Sequence, residues 1–255
     1  MFDAHLHIID PRYPLTPNHG FLPAPFLVSD YRERTAGLGV TGGAVVSGSF
    51  QGEDTRYLES ALTQLGEGFV GVVNASPGTS EERVLQLDRL GVRAVRLNLY
   101  RGPRRSLEDL EALARRVHEV AGWHVELYLD TADLPELAPV LSRLPRVVID
   151  HLGMSQVRQD LLLKLVDQGA RVKATGFGRV HLDVRQTLRA VHAVNLAALV
   201  AGTDLPSTRA RRPFSPDNLD LVREVLGEDA RAVLTTNAED LYRPGPRPAV
   251  QTTDR

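Results

Sequence analysis

Short apolar segments rich in β-branched residues recur along the whole chain, at residues 2–8, 43–47, 69–74, 92–97, 124–129, 146–151, 170–175 and 198–203. Each is short enough to be a strand, and stretches of helical periodicity separate most of them. The clearest runs over residues 106–121, where Leu107, Leu110, Leu113, Ala114, Val117 and Val120 form one stripe. Thr79-Ser80-Glu81-Glu82 predicts a capping box at the start of another helix. Gly91, Gly122 and Gly169 stand where three helices should stop. Strands alternating with helices imply βαβ units and a parallel sheet. Eight of them match a (β/α)₈ TIM barrel, and 255 residues is the ordinary size of that fold. The pattern therefore predicts a single α/β domain over residues 1–243. The Pro- and Gly-containing stretch 244–255 has no core pattern and is expected to be a frayed tail.

The polar residues inside these segments change the picture from scaffold to site. Strand side chains alternate, so Asp3, His5 and His7 are expected on one inward face. Barrel interiors are normally Val, Ile and Leu, which makes two histidines there a candidate site. Arg96 and Asn98 end the fourth segment, Tyr128 and Asp130 the fifth, and His151 the sixth. Lys173 and Thr175 share a face of the seventh, and Asp204 follows the eighth. Polar residues thus gather at the C-terminal strand ends, where barrel enzymes build their active sites. Two Pro-containing loops, 10–25 and 213–216, follow the first and last strands and are expected to carry substrate contacts.

Composition narrows the function. Lys and Arg total 30 against 32 Asp and Glu, a formal charge of −2, which argues against a nucleic-acid partner. No apolar run approaches the roughly 18 residues of a membrane helix, and the opening MFDAHLHIID has no signal-peptide pattern. A cytoplasmic protein is the expectation, with oligomeric state left open. The absence of cysteine excludes disulfides, thiolate metal sites and a Cys nucleophile. Glycine-rich phosphate loops, kinase motifs and a Gly-x-Ser-x-Gly elbow are also missing.

His5-x-His7 on a first strand, His151 ending a sixth and Asp204 ending an eighth resemble the amidohydrolase superfamily. Within it, the chain is most similar to the branch that contains 2-pyrone-4,6-dicarboxylate lactonase and sugar lactonases. Asp3-Ala4-His5-Leu6-His7-Ile8-Ile9-Asp10-Pro11 resembles that branch's opening motif, and Val92-Arg93-Ala94-Val95-Arg96-Leu97-Asn98 its fourth-strand motif. Gly202-Thr203-Asp204-Leu205-Pro206 resembles the last-strand motif, and Asn237-Ala238-Glu239-Asp240-Leu241-Tyr242 the terminal one, with Ala238 in place of Pro. The segment from Val46 to Asp54 resembles the one that contains a substrate-contacting Ser, here Ser49, with Gln51 where His is common.

The resemblance implies a hydrolase. Asp204 would be the general base, and His5, His7 and His151 would polarise a lactone carbonyl. Arg96, Arg101 and Arg179 would bind substrate carboxylate bidentately, with Ser49 and Tyr128 adding neutral hydrogen bonds. The substrate would be a small anionic or sugar-derived lactone. The fourth strand carries Arg96 and Asn98 where metal-dependent members have a bridging carboxylate or lysine, and no His ends the fifth. Arg96 would also repel a cation. The reading therefore favours metal-independent hydrolysis. A divalent metal such as zinc on His5, His7 and Asp204, in a hydrolase or decarboxylase, is the alternative. A barrel that binds a small anion without catalysis is a third. Arg209, Arg211 and Arg212 either steer anions at the mouth or form a solvated basic loop.

Overall fold

A computed structural model describes residues 1–101 and 106–243. The expected tail, and Gly102 in the loop after Arg101, lie outside those residues. The described strands are β1 (Phe2–Leu6), β2 (Gly42–Val46), β3 (Phe69–Asn74), β4 (Val92–Asn98), β5 (His124–Tyr128), β6 (Val147–Ile149), β7 (Arg171–Ala174) and β8 (Leu199–Ala201). They form one parallel sheet in sequence order. Asp204 N donates to His5 O at 2.7 Å and His7 N to Leu205 O at 2.8 Å, which closes the sheet into a TIM barrel. Gly202 permits this approach, because a Cβ there would lie 2.6 Å from the His5 nitrogen.

Helices α1 (Val28–Thr35), α2 (Arg56–Leu65), α3 (Glu81–Arg89), α4 (Leu107–Ala121), α5 (Leu134–Leu141), α6 (Gln159–Asp167) and α7 (Val184–Val194) fill the crossovers. α8 (Asp217–Leu226) follows β8 and α9 (Asn237–Tyr242) follows α8. In α4, Leu110, Leu113, Ala114 and Val117 are buried as the stripe predicts, while Leu107 in the first turn is exposed. The cap of α3 differs from the expected box: Ser80, not Thr79, caps, accepting from Arg83 N at 3.2 Å. Gly122 ends α4 in the left-handed conformation, φ +70°.

Two apolar layers are separated by the sheet. Leu6, Val45, Val95, Leu97, Leu127, Ile149 and Val172 face the helices. Phe2, Ala4, Ala44, Val46, Val72, Ala94, Val148 and Val200 face the barrel axis, where Ala238, Leu241 and Tyr242 of α9 join them. Tyr242 stacks on Phe2 with ring centroids 5.4 Å apart, so α9 plugs the N-terminal end of the barrel.

The expected alternation fails in β1. Between Asp3 and Leu6, β1 advances three residues while its partner advances only from Gly43 to Val45. This extra residue breaks the two-residue period. Asp3 therefore does not share the inward face with His5 and His7. Its carboxylate instead accepts from Tyr31 of α1 at 2.9 Å and from Thr203 N and Oγ1 at 2.8 and 2.7 Å. Asp3 ties the β1–β8 seam to a helix.

Candidate active site

The barrel interior above the α9 plug is charged. Small Ala4, Ala44 and Ala94 leave space for long side chains from β4, β5 and β7. Lys173 of β7 is completely buried and donates to Glu126 of β5 at 2.5 Å. Tyr242 donates to the other Glu126 oxygen at 2.5 Å, and His124 approaches that oxygen at 3.2 Å. Lys173 also meets His5 Nδ1 at 3.2 Å and lies 3.6 Å from Asp150 Oδ1. Burying such charges costs several kcal/mol per ion and is offset only when each is paired. Here each has a partner of opposite sign. The sequence reading does not single out Glu126 and Asp150, although Val148–Asp150 and Glu126–Tyr128 alternation puts both on the inward face.

The next layer brings the predicted catalytic residues together. His5, His7, His151 and Asp204 are at most 4% exposed. His5 Nε2 is 3.9 Å and His7 Nε2 3.8 Å from Asp204 Oδ1. The rings of His5 and His151 are 4.8 Å apart. His7 Nδ1 donates to Val46 O at 2.7 Å, which turns its Nε2 lone pair toward Asp204. His151 Nδ1 pairs with Thr175 Oγ1 at 2.8 Å. Both His151 and Asp204 hold left-handed backbone, φ +51° and +58°, a conformation that costs about 1–3 kcal/mol for a side-chain-bearing residue. Gly176 lets the β7 loop pass His151, since a Cβ there would lie 2.7 Å from His151 Nδ1.

The arginines serve two purposes. Arg96 donates to Asp150 Oδ2 at 2.8 Å and covers the Tyr128 ring at 5.1 Å. Arg179 donates to Asp204 Oδ2 through Nε at 2.9 Å and Nη2 at 2.5 Å, and to Thr208 O at 2.9 Å. Both nevertheless line a narrow cleft at the mouth, with His7, Ser49, Asn98, Arg101, Tyr128 and Arg209. His5, His151 and Asp204 lie deeper. Four buried polar atoms at this end have no hydrogen-bond partner among the described residues: His5 Nε2, Asp150 Oδ1, Asp204 Oδ1 and the Tyr128 hydroxyl. Gln51, by contrast, accepts from Gly48 N and donates to Ile8 O, both at 2.8 Å, and braces the β2 loop.

The basic loop after β8 divides. Arg209 turns into the cleft over the Phe21 ring at 4.3 Å and also donates to Asn18 O. Arg211 and Arg212 are exposed. Loop 10–25 thus reaches the mouth, as expected, through Asn18 and Phe21.

Burial pushes the Asp204 carboxyl up to about 6, against the opposing pull of Arg179. Asp150 is equally buried, yet Arg96 and Lys173 outweigh that burial and hold it well below the ordinary carboxylate range. Burial, reinforced by Arg96, drives His7 down to about 3. Burial also lowers His5, helped by Lys173, and His151, helped by Arg179. All three imidazoles are neutral near pH 7, so they act as hydrogen-bonding groups rather than as cations.

His5, His7 and Asp204 each offer one ligand atom within 4.8 Å of the others. By donor type and spacing they fit a divalent ion, which would polarise a carbonyl and acidify water.

Fold and site together define a TIM-barrel protein of the amidohydrolase type, and the chain belongs to the amidohydrolase family, whose model matches residues 2–243. It is similar to a 2-pyrone-4,6-dicarboxylate hydrolase of Comamonas testosteroni, 31% identical over 163 residues, 61% of this chain and 52% of that protein. The chain thus spans about half the length of this curated relative. A Pseudomonas putida structure assigned as a 2-pyrone-4,6-dicarboxylic acid hydrolase is 28% identical, with TM-score 0.77 over 94% of this chain and 96% of that one. An Agrobacterium tumefaciens structure is 27% identical, with TM-score 0.82 over 96% of each chain. A citric-acid-bound structure from Acinetobacter baumannii shares the fold at 21% identity and TM-score 0.83, over 94% of this chain and 98% of that one. Among the described residues no helix is long and apolar enough to cross a membrane.

Proposed function

We propose that this chain is a hydrolase that opens a small carboxylated lactone without a metal. The observation that carries this reading is the pairing of an unpartnered, proton-seeking Asp204 Oδ1 with neutral imidazoles beneath an arginine-lined cleft. In the reaction, Asp204 Oδ1 takes a proton from water as the water oxygen attacks the lactone carbonyl. His5 donates from Nε2 to the developing oxyanion, and His151 and the Tyr128 hydroxyl stand beside it. Collapse breaks the ring C–O bond. The proton on Asp204 passes to the departing oxygen to give the hydroxyl, and the new carboxylic acid releases the second water-derived proton to solvent, leaving a carboxylate. Arg101 and Arg209 at the mouth, with Arg96 and Arg179 further in, supply the field that holds substrate carboxylate. Ser49 adds a hydroxyl at the cleft edge. Kinship with the Comamonas hydrolase, and likeness to the Pseudomonas structure assigned the same activity, support a 2-pyrone-4,6-dicarboxylate-like substrate, and a sugar-derived lactone fits the same chemistry.

The test is a lactone panel read with a pH indicator, because ring opening releases a proton. Turnover of carboxylated lactones, undiminished after chelation, is the expected result. No turnover of any lactone would overturn the reading. The convergence of His5, His7 and Asp204 favours the second reading, a divalent-metal hydrolase, and loss of activity on chelation with return on adding zinc would establish it.

A further inference from the structure

We propose that Lys173, which does not line the cleft, is a positioning residue that fixes His5 as a hydrogen-bond donor and so withholds it from metal. The inference rests on the metal-free reading of the site and adds the device that enforces it.

His5 Nδ1 lies between two partners of opposite demand. Lys173 Nζ is 3.2 Å away, and Asp150 Oδ1 is 3.5 Å away. A lysine ammonium only donates, so its bond to Nδ1 requires the lone pair there. A neutral imidazole then carries its proton on Nε2, the atom that faces Asp204 and has no protein partner. That proton is the one needed to stabilise an oxyanion. The same tautomer leaves Nε2 without the lone pair that a metal ion requires.

The opposite arrangement is built into the same spot. Asp150 Oδ1 is buried and has no hydrogen-bond partner. Metal-bound histidines usually donate their other N–H to a carboxylate in this position. Were Nδ1–H turned to Asp150, His5 Nε2 would join His7 Nε2 and Asp204 Oδ1 as a third ligand atom. Lys173 decides between the two arrangements, and Glu126 at 2.5 Å, itself held by Tyr242, holds the Lys173 amine toward His5. The ammonium's hydrogen bonds go to Glu126 and His5, while Asp150 Oδ1 stands 3.6 Å away as an ion-pair neighbour.

Nitrogen-15 NMR of the histidine rings tests this in the unaltered, metal-stripped protein, with His5 assigned from its backbone. The expected result is protonation at Nε2 and a free lone pair at Nδ1. Protonation at Nδ1 would overturn the proposal whether or not the protein opens lactones. A second arm uses the paired substitution Lys173→Gln with Glu126→Gln, which removes both buried charges together. His5 should switch to the Nδ1–H form, and zinc binding by equilibrium dialysis should tighten about 10- to 100-fold, the usual reach of a change beside a metal ligand. A folded double variant with the original tautomer and unchanged zinc affinity would overturn the proposal. Should the variant fail to fold, the unaltered protein's spectrum alone decides. Inactivity on every lactone would instead defeat the proposed reaction and leave this result standing.

Discussion

Two aspartates near the C-terminal ends of β6 and β8 occupy almost the same surroundings and have opposite chemistry. Asp150 and Asp204 are both buried, and both lie within 4 Å of His5. Asp150 faces Arg96 at 2.8 Å and Lys173 at 3.6 Å, and these cations keep it an anion. Asp204 has Arg179 on one oxygen only, and burial wins, raising it to about 6. Two carboxylates driven apart in this way divide the work of a site. Asp150 is a fixed charge that holds Arg96 and the lower network in place. Asp204 is the group that can take and release a proton near neutral pH.

The sharpest way to break the comparison is to neutralise each aspartate in turn. Asp204→Asn keeps the shape and removes the base, so kcat should fall about 10³-fold, within the range general-base loss produces. Circular dichroism should show a fold unchanged. Asp150→Asn should do the reverse in kind, because it leaves buried Arg96 and Lys173 without their shared anion. Removing one partner of a buried pair costs about 3–5 kcal/mol, which a denaturant titration would read directly. If Asp150→Asn were as stable as the parent, the division of roles would be wrong.

The pH dependence sharpens the same contrast without mutation. Asp204 must be ionised to accept a proton. Its value is raised, so its carboxylate is lost as pH falls through about 6 rather than in the ordinary carboxylate range near 4. The ratio kcat/KM should drop about tenfold per pH unit below that point. His7, at about 3, and the lowered His5 and His151 stay neutral across this window. Asp150, held low, stays ionised as well. A rate profile with a single acid limb near 6 is expected, and an acid limb near 4 would remove Asp204 from the role.

Much of this is legible in the sequence. The eight apolar segments all became strands, because in a barrel each must bury an apolar face against helices. His5, His7, His151 and Asp204 converge because the closed sheet brings every C-terminal strand end to one mouth. Three things were not readable. The bulge in β1 turned Asp3 to the helix side, since strict alternation cannot foresee an inserted residue. The Glu126–Lys173 and Arg96–Asp150 pairs join strands that are not neighbours in the chain, and only closure of the barrel defines them. Arg179 reads from the sequence as a substrate contact, but it spends at least two donors on Asp204.

The smallest expected effect concerns the loop after β8, where two arginines two residues apart again differ by surroundings. Arg209 lines the cleft, stacks over Phe21, and feels Arg101 strongly enough to have its own affinity for a proton lowered, after the effect of burial. Two cations facing one small space repel each other, and a bound carboxylate relieves that repulsion. Arg211 is exposed and meets only His181, at 3.1 Å, among the contacts described for its side chain. Arg209→Ala should therefore raise KM for a carboxylated lactone several-fold with little change in kcat, as expected when an interaction equal in ground and transition states is removed. Arg211→Ala should leave both constants unchanged at physiological salt, where exposed charges more than about 8 Å from a ligand are screened. Steady-state kinetics on an uncharged lactone supplies the control: there, Arg209→Ala should lose its effect on KM. An equal effect on charged and uncharged lactones would mean that Arg209 shapes the cleft through Phe21 rather than holding an anion.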